Sequence, residues 1–278
     1  MPRPGSTILW IGALSAAVLA VYAPVLRGLV GDWIHDPNYS HGFLIPAVSG
    51  FLVWQRRRQL ASTPVLPALL GFAGVVLALV LLVVGAAGAE VFTQRVSLVL
   101  LLGSLALFLL GRQWMGRLAF PLAFLLFAVP MPYVLYYSLT GPMQGFAAKA
   151  AVVGLKGVGV PVVAQGNIIH LPNTSLEVAE ACSGIRSLYA FLALGALLAQ
   201  SLPIPVWGRM IVFLLTIPVS IAANAFRVWG SGLGAYLAGP QVTQGFIHEF
   251  FGFVVFAAAL SIYLLLRKGA RVLWHSAP

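Results

Sequence analysis

Val65-Leu-Pro-Ala-Leu-Leu-Gly-Phe-Ala-Gly-Val-Val-Leu-Ala-Leu-Val-Leu-Leu-Val-Val-Gly-Ala-Ala-Gly-Ala89 runs for 25 residues without a charged side chain. At a rise of 1.5 Å per residue, a helix of that length exceeds the roughly 30 Å hydrocarbon core of a bilayer. Working outward, comparable apolar runs occupy Thr7–Leu29, Gly42–Trp54, Val96–Gly111, Leu118–Tyr137, Cys182–Leu202, Val206–Trp229 and Phe246–Leu266. Gly42–Trp54 and Val96–Gly111 are short and need flanking residues or a thinned bilayer to cross. The composition agrees: 60% of residues are hydrophobic, 8% are charged, and the mean hydropathy is +0.98. A soluble domain is about a quarter charged, so this chain cannot cover a globule with polar surface. The expectation is an all-α integral membrane protein, a polytopic bundle of about eight transmembrane helices forming one domain over residues 1–278. The first run lacks a basic start beyond Arg3 and a small-x-small cleavage site, so it is expected to be retained.

The net charge of +10 does not point to nucleic acid, because the basic residues are dispersed at the ends of the runs. They orient the bundle instead. If the Arg56-Arg57-Arg58 tract is cytoplasmic, threading places Arg3, Arg112, Arg117, Arg209, Arg267, Lys268 and Arg271 on the same side. That makes 3 + 7 = 10 of the 16 Lys and Arg residues. Asp32, Asp36, Glu90, Glu177, Glu180 and Glu249, all six acidic residues, then fall outside. Both termini, including the tail 267–278, are expected inside. The one long connection, 138–181, is expected outside. Its first part to Leu155 suggests an interfacial helix. The stretch from Val160 to Val178 alternates apolar and polar residues around turn formers, which suggests a small β-hairpin or ribbon.

Chemistry is sought among polar residues at membrane depth, where they are costly and usually functional. Glu180-Ala-Cys-Ser-Gly-Ile-Arg186 opens the sixth run. Cys182 is the only cysteine, which excludes an internal disulfide. In a first helical turn, with Arg186 four residues on, it would sit where a thiolate is favoured. A lone cysteine is otherwise a small buried hydrophobe. Arg227, with Asn224 three residues before it, closes the seventh run, and His248 enters the eighth. Threading puts Cys182, Arg227 and His248 at one depth near the outer face, where nucleophile, cation and base can meet. Arg227 snorkelling to the interface and His248 as an interfacial donor are the plain alternatives. Ser40 is suited to cap the second run, and His41 beside it can face the same cavity. Glu177 and Glu180 can orient Arg186 or Arg227, or meet a basic substrate. No metal-ligand spacing occurs, so neither metal nor cofactor is expected.

The motifs Tyr39-Ser-His-Gly-Phe-Leu-Ile-Pro46, Val129-Pro-Met-Pro132, Gly166-Asn-Ile-Ile-His-Leu-Pro172, Leu176-Glu-Val-Ala-Glu-Ala-Cys-Ser-Gly-Ile-Arg186, Asn224-Ala-Phe-Arg227 and Gly245-Phe-Ile-His248 together resemble the exosortase/archaeosortase family of membrane-embedded cysteine transpeptidases. The resemblance covers the chain from the loop before the second run to the eighth. It implies a catalytic set of Cys182, Arg227 and His248, with Arg186, Asn224, Glu180 and His41 as supporting or substrate-binding residues. It also implies an enzyme of the bacterial inner membrane whose site faces the periplasm. Its partners would be the lipid bilayer and exported proteins bearing a C-terminal Pro-Glu-Pro signal, a transmembrane helix and a basic tail. The accessory C-terminal domain of some family members is not expected here. Two other readings stay open: a small transporter or channel, which leaves Cys182 without a task, and a hydrolytic intramembrane peptidase using the same three residues.

Overall fold

The computed structural model describes residues 4–178, 184–239, 241 and 245–276. The chain divides into two compact units, Met1–Pro132 and Tyr133–Pro278.

In the first unit, α1 (Pro4–His35) leads through a 3-10 turn (Pro37–Phe43) into α2 (Leu44–Gln55) and the short α3 (Arg57–Ala61). An antiparallel pair follows, α4 (Leu70–Ala87) and α5 (Val91–Leu110), and then α6 (Arg112–Phe124). Apolar side chains gain little by packing in lipid, so small residues and polar contacts hold these helices together. A Cβ at Gly71 of α4 would lie 2.2 Å from the Phe108 backbone nitrogen of α5, so only glycine allows that approach. Tyr22 of α1 shares a 3.0 Å hydrogen bond with Ser97 of α5, both fully buried. An ion pair invisible in the sequence joins the same helices: Arg95, 7% exposed, lies 2.7 Å from Asp32. At the other end of α2, Arg56 donates to the Arg117 carbonyl. The basic Arg56 and Arg117 thus gather at one end of the unit and the acidic Asp32 at the other.

Two expectations fail here for local reasons. Ser40 caps no helix: it lies inside the 3-10 turn and donates to the Pro37 carbonyl at 3.2 Å. The cap is Asp36, whose carboxylate accepts from the Asn38 N–H at 2.8 Å. The fifth run is not continuous either. Helical structure ends at Ala128, and Val129 turns extended (φ −88°, ψ 119°), because the residue before a proline is driven out of the α region. Pro130 and Pro132 enforce the break.

The second unit starts with α7 (Tyr133–Gly157), so the first part of the connection 138–181 is the body of a long helix. Three short strands follow: β1 (Val163–Gln165), β2 (Ile168–His170) and β3 (Ser175–Glu177). They form an antiparallel sheet in sequence order, with Ala164 opposite Ile169 and Ile169 opposite Leu176. Then come α8 (Ile185–Gln200), α9 (Val206–Leu214), α10 (Thr216–Ala238) and α11 (Gly245–Ser276). Pro218 separates α9 from α10, since its ring has no N–H for the Leu214 carbonyl and would clash with it. The core at the sheet end joins Ala148, Ala151 and Leu155 of α7, Ile169 of β2, and Val228 and Ala235 of α10. Asn173, in the loop after β2, donates to the Ala235 and Tyr236 carbonyls and satisfies the end of α10. At the opposite end, Arg267 of α11 donates to the Leu198 carbonyl and to Ser201, and Arg209 to Gln200.

By length and composition five stretches can cross a membrane: Gly12–His35, Leu70–Ala87, Val91–Leu110, Val206–Ala238 and Gly252–Gly269. A sixth is added if Arg112–Ala128 and Tyr133–Gly157, on either side of the proline break, form one span. The chain is an all-α membrane protein. The count falls below eight because α2, with 12 residues, spans about 18 Å and α8, with 16, about 24 Å.

Candidate functional site

The site expected from the sequence centres on α10. Asn224 is buried, Arg227 half-buried, and the three-residue spacing sets them on one face. Arg227 does not close its helix: α10 continues for eleven residues, Val228–Ala238, held by its packing on α7 and the sheet. Arg227 therefore sits about 16 Å from the helix end.

Two glycines carry the neighbouring motifs onto this face. Gly184, two residues after Cys182, is the N-cap of α8 and adopts a left-handed conformation (φ 86°, ψ −3°) open to glycine at little cost. A Cβ there would lie 2.7 Å from the Asn224 side-chain carbon and 2.8 Å from its nitrogen. The Gly184 carbonyl accepts from the Leu188 N–H and from the Ser187 hydroxyl, which fixes the turn into α8. On the other side, Gly252 of α11 faces Arg227. Its Cβ would lie 3.1 Å from the guanidinium carbon and 3.2 Å from two of its nitrogens. Gly252 stands four residues after His248 in the same helix. Asn224 thus touches the cysteine motif, and Arg227 the helix that carries His248.

Cys182 and Glu180 lie outside the described residues. The described part of the cysteine motif enters α8, which starts at Ile185 with Gly184 as its N-cap. Arg186 occupies the second position of α8 with its side chain exposed. His248 lies in the first turn of α11. His41, half-buried in the 3-10 turn, belongs to the first unit. Glu177 is exposed on β3, where Asn167 reaches it at 3.5 Å. His170 pairs with Ser175 at 2.9 Å.

One polar feature of α10 carries no motif in the sequence. Thr216, Ser220 and Asn224 form a buried stripe at i, i+4 and i+8 on α10, and Thr216 donates to the Phe213 carbonyl. That spacing was readable, but hydroxyls score as near-neutral in apolar runs. No three His, Cys, Asp or Glu side chains gather as a metal site among the described residues.

Residues 33–265 match the family described as transmembrane exosortase (Exosortase_EpsH). The chain belongs to the exosortase family. Membership places it in a transpeptidase/protease class of membrane proteins. No curated protein and no solved structure matches it. The match spans both units, including the Asp36 turn, the sheet, α8, α10 and the first turns of α11.

Proposed function

We propose that this exosortase cleaves C-terminal sorting signals of exported proteins, with Cys182 as nucleophile, His248 as its base and Arg227 as the oxyanion cation. The observation that carries the proposal is the double seating of α10. Within three residues, one helix face holds Asn224 against the cysteine motif and Arg227 against the histidine helix.

In the proposed reaction, His248 takes the Cys182 proton and the sulfur attacks the substrate carbonyl. Negative charge builds on the carbonyl oxygen, and the Arg227 guanidinium stabilises it where water is scarce. As the C–N bond breaks, His248 returns the proton to the departing amine. The thioester left on Cys182 is attacked by an acceptor amine or by water, which releases the thiol. Arg186, on α8, and Glu180 act on the substrate at the mouth of the site. In this reading the protein is a multi-pass enzyme of the bacterial inner membrane, crossing it eight times. The shorter α2 and α8 and the broken α6–α7 pair are included, and the sheet faces the periplasm. The charge rule assigns Arg56, Arg117, Arg209 and Arg267 to the cytoplasmic side.

The test is expression with a tagged substrate carrying a Pro-Glu-Pro signal, intact chain against Cys182→Ala, followed by mass spectrometry. A thioester on Cys182 and loss of processing in Cys182→Ala are expected. Processing that persists in Cys182→Ala at normal protein level would overturn the cysteine mechanism.

A further inference from the structure

A groove of about 390 Å³ runs between α5 and α6 in the first unit. Its α5 wall extends from Val96 to Leu107, about 17 Å along the helix, and its α6 wall from Met115 on to Leu126. Small residues make it. Gly103 on α5, and Ala119 and Ala123 on α6, leave its middle without side-chain bulk. Between α4 and α5 a glycine closes the helices together, since a Cβ on Gly71 would strike the Phe108 backbone. Between α5 and α6 the helices do not close: a Cβ on Gly103 would find only the Met115 methyl within 4 Å, at an ordinary 3.7 Å. Ser104 is the one lining residue with a polar side chain, and its hydroxyl turns to α4, where a Cβ on Gly74 would stand 2.4 Å from it.

Shape and charge select the occupant. Ala119, Ala123 and Leu126 are exposed and α5 is long and apolar enough to cross a membrane, so the groove opens on lipid. Spread over its length, the volume leaves a section roughly 5 Å across, too narrow for a helix of about 10 Å. About 150 Å³ holds a benzene ring, so the groove takes on the order of a dozen carbons in line, an acyl chain. The two ends differ in charge. Arg112, exposed, is the first residue of α6 and stands one turn before Met115 on the same face. No side chain caps that first turn, so its N–H groups also favour an anion. Arg56, Arg57, Arg58 and Arg117 belong to the same end: Arg56 donates to the Arg117 carbonyl, and Trp114 to that of Thr63, which sets α3 near the start of α6. None of these five arginines meets a carboxylate among the described residues, and the Arg117 Nη1 is buried without an acceptor among them. Asp32, beside Arg95, and Glu90, at the start of α5, stand at the other end. A phosphate is drawn to the Arg112 end and repelled from the Val96 end.

We propose that this groove binds an anionic phospholipid, one acyl chain lying along α5 and α6 and the phosphate at Arg112. A zwitterionic lipid carries the same chain but sets its own cation beside Arg112. The bound chain fills the space that Gly103, Ala119 and Ala123 leave open and so completes the packing of α6 on α5.

The test places the full chain, with a photoreactive group at Ala123, in nanodiscs of equal phosphatidylglycerol and phosphatidylcholine with identical acyl chains. Mass spectrometry is expected to show phosphatidylglycerol captured about fivefold over phosphatidylcholine, the weight of one interfacial basic residue on an anionic lipid. Arg112→Gln, an exposed change, is expected to abolish that preference, and Arg58→Gln to leave it in place. Ala119→Leu, which fills the groove, is expected to cut capture of both lipids. Equal capture of the two lipids by the intact chain would overturn the site, as would Arg58→Gln matching Arg112→Gln. Capture of polypeptide in place of lipid, or undiminished capture in Ala119→Leu, would remove the acyl chain as its occupant.

Discussion

Gly252→Ala isolates what the site requires from what the fold requires. The new methyl carbon would stand 3.1 Å from the Arg227 guanidinium carbon. Carbon atoms settle at roughly 3.5–4.0 Å, so the guanidinium must withdraw by about 0.4 Å or more. Catalytic groups tolerate about 0.5 Å of displacement, and a misplacement of about 1 Å can cost 10²-fold. A loss of about tenfold in kcat follows, with KM little changed if Arg227 acts on the developing oxyanion. Stability should move the other way. Alanine favours a helix interior over glycine by about 0.5–1 kcal/mol, and the obstructing atoms are the end of a flexible side chain. The assay pairs single-turnover cleavage of a signal peptide with thermal unfolding of the same preparation. A slower and equally or more stable enzyme is the expected result. Unchanged kcat would refute the seating of Arg227 on α11, and activity falling only as folded protein is lost would reduce Gly252 to a packing residue.

Arg227→Lys is expected to lose most activity, because a point charge does not reproduce the planar fork; full activity would leave Arg227 a positional charge. His248→Ala is expected to retain a trace of activity that climbs with pH as thiolate forms unaided, and a flat pH profile would remove the base role. Asp32→Asn leaves the Arg95 charge buried and should cost about 2–3 kcal/mol, less than a fully buried pair because Asp32 is 38% exposed. Asp32→Asn with Arg95→Met should recover part of that loss in denaturant titration, and no recovery would exclude the buried charge as its cause. Glu90 accepts from the Phe92 and Thr93 N–H groups at the start of α5, and its pKa lies below the ordinary glutamate value, chiefly through its Thr93 hydrogen bond. Its capping is present above the unfolded pKa and lost as pH falls through the lower folded value. Protection of those two amides, taken against the intrinsic exchange rate at each pH, should therefore fall with acid in the wild type and show no such step in Glu90→Gln; a step that survives would place its origin elsewhere.

The helices most legible from sequence were those whose character is uniform along their length. Leu70–Ala87 falls inside the expected run because nothing in it competes with burial in lipid, whereas Val91–Leu110 starts five residues before the expected Val96 and takes in Arg95, whose charge is met by Asp32. Leu118–Tyr137 misled because the apolar residues around Pro130 and Pro132 keep the mean hydropathy of the run high, while that mean ignores the backbone restriction each proline places on its predecessor. The length of α10 was hidden for the opposite reason. Gly230, Gly232 and Gly234 read as the end of a helix, yet Gly232 is a contact, where a Cβ would lie 2.9 Å from Leu155 of α7. Tertiary packing decided that stretch over intrinsic propensity. In the candidate site, the pairing of Asn224 with Arg227 followed from helical spacing. The seats at Gly184 and Gly252 did not, because a glycine in a sequence gives no sign of what lies against it. Nor did hydropathy show that the cysteine motif's helix begins only at Ile185.

The eleven residues of α10 beyond Arg227 have a consequence for how the enzyme meets its partners. Capped by α7 and the sheet, this helix leaves the guanidinium three turns below its end. A polypeptide tethered in the same bilayer would arrive by sliding along the membrane, in two dimensions. Encounter frequency would then follow the number of tethered molecules per unit of membrane area and the viscosity of the lipid. Concentration in the surrounding water would matter little. A freely dissolved peptide with the same cleaved bond would be a poor competitor, and stiffening the bilayer would slow turnover without touching a catalytic residue.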